Sequence, residues 1–125
     1  MKGRPFRARL GFALAGIRAG WAREASFRSQ ARLAAAALLA LLVLRPAPIW
    51  WGLVALCCAI VLALELVNSA MEGVIDLLHP GVHPSIGVAK DMLAGAVLVT
   101  SLAALAVAVA MVAANAPHFL EEIGL

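Results

Sequence analysis

The sequence predicts an all-α membrane protein, with an N-terminal amphipathic surface helix and three transmembrane helices in each protomer. Three observations lead there. The 125-residue chain is 64% hydrophobic and 14% charged, against roughly 45–50% apolar and about 25% charged residues in soluble domains. Its mean hydropathy is +0.98. Its cations are gathered at one end: Lys2, Arg4, Arg7, Arg9, Arg18, Arg23, Arg28 and Arg32 stand in the first quarter, with Glu24 the only acid among them. A basic stretch ahead of the first span marks the cytoplasmic side and favours anionic headgroups. In such a chain the partner of this stretch is a membrane surface rather than nucleic acid.

Each element follows in order. Over about residues 6–25, Phe6, Leu10, Leu14, Ile17 and Trp21 fall near one helical face, with Arg7 and Arg18 away from it. That is the pattern of a helix lying in the membrane interface. Membrane helices are expected at about 27–45, 49–78 and 86–114. The apolar run Leu33–Leu44 is short for a span needing about 20 residues. It becomes adequate when Phe27 to Arg32 are added and the arginines snorkel to headgroups. Arg45-Pro46-Ala47-Pro48 breaks the helix. Ile49–Leu64 carries no charge and continues as helix to Leu78, and Met92–Ala114 has only Thr100 and Ser101 as polar interruptions. His79–Pro84 is a turn between them.

Residues 1–125 thus read as one domain in the inner (cytoplasmic) membrane. The N-terminus and the His79–Pro84 turn lie in the cytoplasm and the C-terminus lies outside. No cleaved leader is expected, because the basic region is too long and the first apolar run ends in Arg45-Pro46. Cys57 and Cys58 act as small apolar residues. Trp50 and Trp51 form an aromatic belt. Gly73 and Gly95 are expected to allow close helix packing. His79 and His83 are polar turn residues, and His118, Glu121 and Glu122 belong to a solvated tail.

One feature of this apolar chain is costly. Glu65, Asn68, Glu72 and Asp76 follow one another at spacings of three, four and four, so they share one helix face. Carboxylates in or beside a span are functional candidates by default. Counted from Ile49 at the outer surface, Glu65 lies about 24 Å along the helix. That is near the inner edge of a hydrocarbon core about 30 Å thick. Glu72 and Asp76 emerge among headgroups or water, with Lys90 and Asp91 across the turn. Such a row suits a divalent cation, a proton to be abstracted, or both. A base at the hydrocarbon edge can reach a lipid hydroxyl, the outer carboxylates can hold Mg²⁺, and Lys90 can meet phosphate oxygens. Phosphoryl transfer needs mainly positioning and charge neutralisation. Neither G-x-x-x-x-G-K-[ST] nor G-x-G-x-x-G occurs.

The run Glu65-Leu-Val-Asn68-Ser-Ala-Met-Glu72-Gly-Val-Ile-Asp76, followed by Ala89-Lys90-Asp91-Met92, resembles the prokaryotic diacylglycerol kinase family, which includes undecaprenol kinases. Gly16-Ile-Arg18-Ala-Gly-Trp21-Ala-Arg-Glu24-Ala-Ser-Phe27-Arg28 is similar to that family's N-terminal block. The resemblance runs in order over about residues 10 to 112. It implies an ATP-dependent lipid kinase, a homotrimer with active sites shared between subunits at the cytoplasmic membrane surface. By the same resemblance Glu65 is the catalytic base and Asn68 orients it. Glu24 and Glu72 hold Mg²⁺. Phe12, Glu24, Glu72, Asp76, Gly81, Val82, His83, Lys90 and Asp91 surround ATP. Trp21, Ser26, Phe27, Arg28, Gln30, Trp51, Glu65 and Ala94 meet the lipid.

The sequence departs from the family at Gln30, where a glutamate is common, and at Phe12, where a tyrosine often stands. Ala94-Gly95-Ala96-Val97-Leu98 resembles the undecaprenol kinase version of the third span, whereas Glu24-Ala-Ser-Phe27-Arg28 leans toward the diacylglycerol kinases. Diacylglycerol is the expected acceptor and undecaprenol the alternative. Readings of another class are a small proton-coupled transporter, which four spans and a midplane carboxylate would favour, and a non-catalytic membrane subunit.

Overall fold

The computed structural model describes residues 2–125. The chain forms four helices joined by short connections, α1 (Phe6–Arg23), α2 (Ala25–Leu44), α3 (Pro48–Leu78) and α4 (Pro84–Glu122). The last three are each long and apolar enough to cross a membrane.

Prolines set most of the boundaries. Pro46 disfavours the right-handed helical region for the residue before it. Arg45 accordingly leaves the helix in the left-handed region at φ 49°, with its N–H bonded to the Leu41 carbonyl at 2.9 Å. Pro48 and Pro84 open α3 and α4, where a missing N–H costs nothing because no partner exists for it. At the head of α4 the His83 Nδ1 accepts from the Ser85 N–H at 3.1 Å. The turn histidine is therefore a helix cap.

α4 runs past the apolar segment's end at Ala114 and through Pro117 to Glu122. The expected tail is helical as well as solvated. The Asn115 amide donates to the Met111 carbonyl at 2.8 Å, and His118 faces Glu122 at 3.0 Å. With 39 residues, α4 is about 58 Å long, nearly twice the hydrocarbon thickness. Its ends lie outside the membrane core.

α3 and α4 form an antiparallel pair against which α2 lies. Their core sits where α2 ends and α3 begins: Leu41, Val54 and Met111 are buried, with Ala37, Leu44, Trp50, Trp51 and Val107 packed around them. Met111 is completely covered. The bundle's other faces display Leu39, Leu42, Leu56, Leu98, Val99 and Leu102. In a membrane, lipid tails or neighbouring helices meet such surfaces at little cost.

α1 leaves Phe6, Leu10, Leu14, Ile17 and Trp21 exposed and buries only Gly20. Gly20 explains how α1 reaches α3. A Cβ at this position would stand 2.5 Å from the Leu66 Cδ2. Gly73 and Gly95 meet no other helix of this chain, since nothing lies within 4 Å of a Cβ built at either.

Candidate active site

The site begins at the corner between α1 and α2. Glu24 alone joins the two helices, in an extended conformation at φ −114° and ψ 109°, and its side chain makes no capping bond. Three contacts hold the corner. The Arg28 Nη1 donates to the Trp21 carbonyl at 2.7 Å. The Arg32 guanidinium lies 5.9 Å from the centre of the Trp21 ring, within the range of a cation–π attraction. Phe27, buried, packs at Gly20.

This corner delivers Ser26 to α3. The Ser26 hydroxyl donates to the Glu65 Oε2 at 2.9 Å. Glu65 is 3% exposed and is the only buried charged residue among those described. Burying a carboxylate is expensive without hydrogen bonds to the charged form, and one serine hydroxyl supplies part of that compensation. A helical turn further on, the Asn68 Oδ1 is covered and has no hydrogen-bond partner among the described residues. A buried acceptor of this kind is rare and invites a donor from a ligand.

Glu72 is half-buried and Asp76 exposed. Across the turn, the Lys90 ammonium donates to the Asp76 Oδ1 at 2.5 Å. Lys90 precedes the apolar segment. The hydrogen bonds and ion pairs among the described residues leave the Glu24 and Glu72 carboxylates uncommitted. No three His, Cys, Asp or Glu side chains of the described residues converge on one point. A hard cation here would rest on fewer protein ligands, as Mg²⁺ does when phosphates and water complete its shell. Glu24 and Glu72 are carboxylates left free to meet such an ion.

The remaining candidates fall into three places. Trp21, Ser26, Phe27 and Arg28 make up the corner over Glu65. Phe12, Gly81, Val82, Asp91 and Ala94 are exposed, and His83 is committed to the α4 cap. Trp51 is part of the apolar core, about 21 Å along α3 from Glu65, so the structure does not bring it to the carboxylate. Gln30 donates through Nε2 to the Ser101 Oγ at 2.9 Å. Ser101 was not among the candidates. The available signal was its status as one of two polar residues in an otherwise apolar span.

Residues 11–112 match the sequence profile described as prokaryotic diacylglycerol kinase. The chain belongs to the prokaryotic diacylglycerol kinase family. The diacylglycerol kinase of Helicobacter pylori is 33% identical over 84 residues, 67% of this chain and 66% of the relative. That of Synechocystis sp. is 35% identical over 97 residues, 77% of this chain and 55% of the relative. That of Escherichia coli is 35% identical over 97 residues, 75% of this chain and 77% of the relative. The chain thus spans about two thirds or less of the first two relatives. The segment matched by the diacylglycerol kinase profile begins within α1 and ends within α4, and includes the corner, Glu65 and the Asp76–Lys90 pair.

Proposed function

We propose that this protein transfers the terminal phosphate of ATP to the hydroxyl of a membrane lipid, with diacylglycerol as acceptor and phosphatidic acid as product. The observation that carries the reading is the Ser26–Glu65 contact: an alcohol already donates to a buried carboxylate at 2.9 Å. A lipid hydroxyl arriving along the same path would find a base within the reach that general-base catalysis requires. The diacylglycerol kinases to which the chain is related support the choice of reaction and acceptor.

In this mechanism Glu65 accepts the proton of the lipid hydroxyl as its oxygen bonds to the γ-phosphorus. The bond from that phosphorus to the β–γ bridging oxygen breaks, ADP departs, and the proton rests on Glu65. Burial of Glu65 excludes water that would compete as acceptor. Asn68 orients the incoming hydroxyl. Glu24 and Glu72 would hold Mg²⁺, which would neutralise the charge developing on the phosphates. Lys90 turns from Asp76 to the phosphate oxygens, Asp91 lies beside the nucleotide, and the turn at Gly81–His83 covers it. Trp21, Phe27 and Arg28 line the approach of the lipid.

α1 lies along the cytoplasmic membrane surface with its exposed Phe6, Leu10, Leu14 and Ile17 in the interface and the arginines among headgroups. The N-terminus faces the cytoplasm. A homotrimer with shared sites accounts for the uncovered apolar faces of the bundle. Purified protein supplied with Mg²⁺, labelled ATP and either diacylglycerol or undecaprenol tests the proposal. Phosphorylated diacylglycerol is the expected product. Phosphorylation of undecaprenol alone would make this a polyprenol kinase, and absence of any lipid product from folded protein would return the chain to the transporter and non-catalytic readings.

A further inference from the structure

A cavity of about 300 Å³ lies between α2, α3 and α4, at the lower end of the size of small-molecule sites. It begins about one helical turn from the Ser26–Glu65 contact. Val61, one turn before Glu65 on α3, and Gln30, one turn after Ser26 on α2, both line it. From there it extends along Ala37 and Cys57 toward the apolar core. Leu33 and Leu105 stand on its lining while remaining 65% and 60% exposed, so the cavity opens sideways toward the bilayer. Every other lining side chain is apolar or a cysteine; Gln30 and Ser101 are the exception.

That pair has a defined chemistry. The Gln30 amide donates one N–H to the Ser101 oxygen. No other hydrogen bond is made by either side chain among the described residues, apart from this one. The second amide N–H and the Ser101 hydroxyl proton are therefore free to donate at the edge of an apolar space. Uncommitted donors in hydrocarbon surroundings are costly, and a ligand bearing only acceptors would relieve that cost. Gln30 follows Ser26 by four residues, about 6 Å deeper along the helix axis. In an ester-linked glycerolipid the carbonyl of the neighbouring chain lies a few bonds from the free hydroxyl, on the tail side. A polyprenol has no acceptor at that depth, and its chain continues as hydrocarbon.

We infer that Gln30 and Ser101 form an ester-recognition pair, which binds the acyl carbonyl of the acceptor lipid while the cavity below takes the start of its hydrocarbon chain. Ser101 is thereby a specificity-determining residue for the lipid. The inference rests on the lipid-kinase reading and adds the group that is recognised.

The test compares a diester glycerol with the diether glycerol of the same chain lengths, using the full-length protein with Mg²⁺ and ATP. Both acceptors offer the same hydroxyl and tails, and only the diester has carbonyls. The wild-type protein should favour the diester by about tenfold in kcat/KM, the discrimination that one or two hydrogen bonds in a dry site provide. Ser101→Ala and Gln30→Leu should bring this ratio toward one, mainly by slowing the diester. Ser101→Ala, which only removes an oxygen at the cavity edge, carries the comparison where Gln30→Leu fails to fold. Equal use of diester and diether by the wild type overturns the ester pair and leaves the kinase reading standing. A diester preference that both variants keep in full also overturns it. No phosphorylation of either glycerol, or of a polyprenol, overturns the kinase reading and the pair's role together.

Discussion

The two ends of the α2–α3–α4 bundle are built on opposite principles. At one end Leu41, Val54 and Met111 are closed off by aromatic and aliphatic neighbours, and no buried side-chain polar atom described there lacks a partner. At the other, Glu65 is as deeply buried as those residues yet has one hydroxyl partner, Asn68 has an unmet acceptor, and Asp76 and Lys90 lie exposed. The first arrangement stabilises without chemistry. On the proposed function, the second leaves reactive groups available at some cost in stability, as sites that hold uncompensated groups generally do. On that reading, stability and chemistry occupy different ends of the same helices, about 16 Å apart along α3 between Val54 and Glu65.

Substitutions at each end sharpen that contrast. The largest expected change in stability is at the closed end. Met111→Ala should cost about 2–5 kcal/mol, read as a loss of resistance to denaturant in detergent, while turnover per folded molecule stays constant. Equal losses of stability and specific activity would show that the ends are not separable. Next, Gly20→Val should cost about 1–3 kcal/mol, because its side chain would be forced into Leu66 and Phe27. Unlike Met111→Ala, it should also lower turnover, since it displaces the corner that presents Ser26 to Glu65. Glu72→Gln should raise the Mg²⁺ requirement by at least about tenfold, given that even outer-shell changes cost 10–100-fold, and should leave stability nearly unaltered. An unchanged Mg²⁺ dependence would remove Glu72 from the metal. The smallest effect is expected at Asp76→Asn. Its pair with Lys90 is solvent-exposed, so denaturation should hardly move, whereas the salt dependence of the ATP requirement should change.

The closed end and the open end were not equally legible in the sequence. Helix number and span position follow from apolar length and from prolines, both local properties, and the polar row Glu65 to Asp76 stands out because it interrupts that apolar length. Its closest partner does not. Ser26 is separated from Glu65 by 39 positions, and only the corner at Glu24 together with the absent side chain of Gly20 brings them into contact. The same limit applies to Gly73 and Gly95. A small residue permits close packing, but whether another helix arrives is decided by crossing geometry. Ser101 stands in the sequence only as a polar interruption of an apolar span, because its partner Gln30 is 71 positions away. The apolar run ends at Ala114, yet the helix continues through Pro117 to Glu122, beyond the length that hydrocarbon can cover.

The central claim is that Glu65 is the base that takes the acceptor's proton. Its most direct test is the rate of phosphate transfer from ATP to diacylglycerol by Glu65→Gln at saturating Mg²⁺, beside its affinity for ATP. General-base catalysis contributes typically 10²–10⁴-fold. The variant should lose on the order of that factor in rate while nucleotide affinity and stability persist. Transfer at near wild-type rate by folded Glu65→Gln would place the base elsewhere and contradict the account.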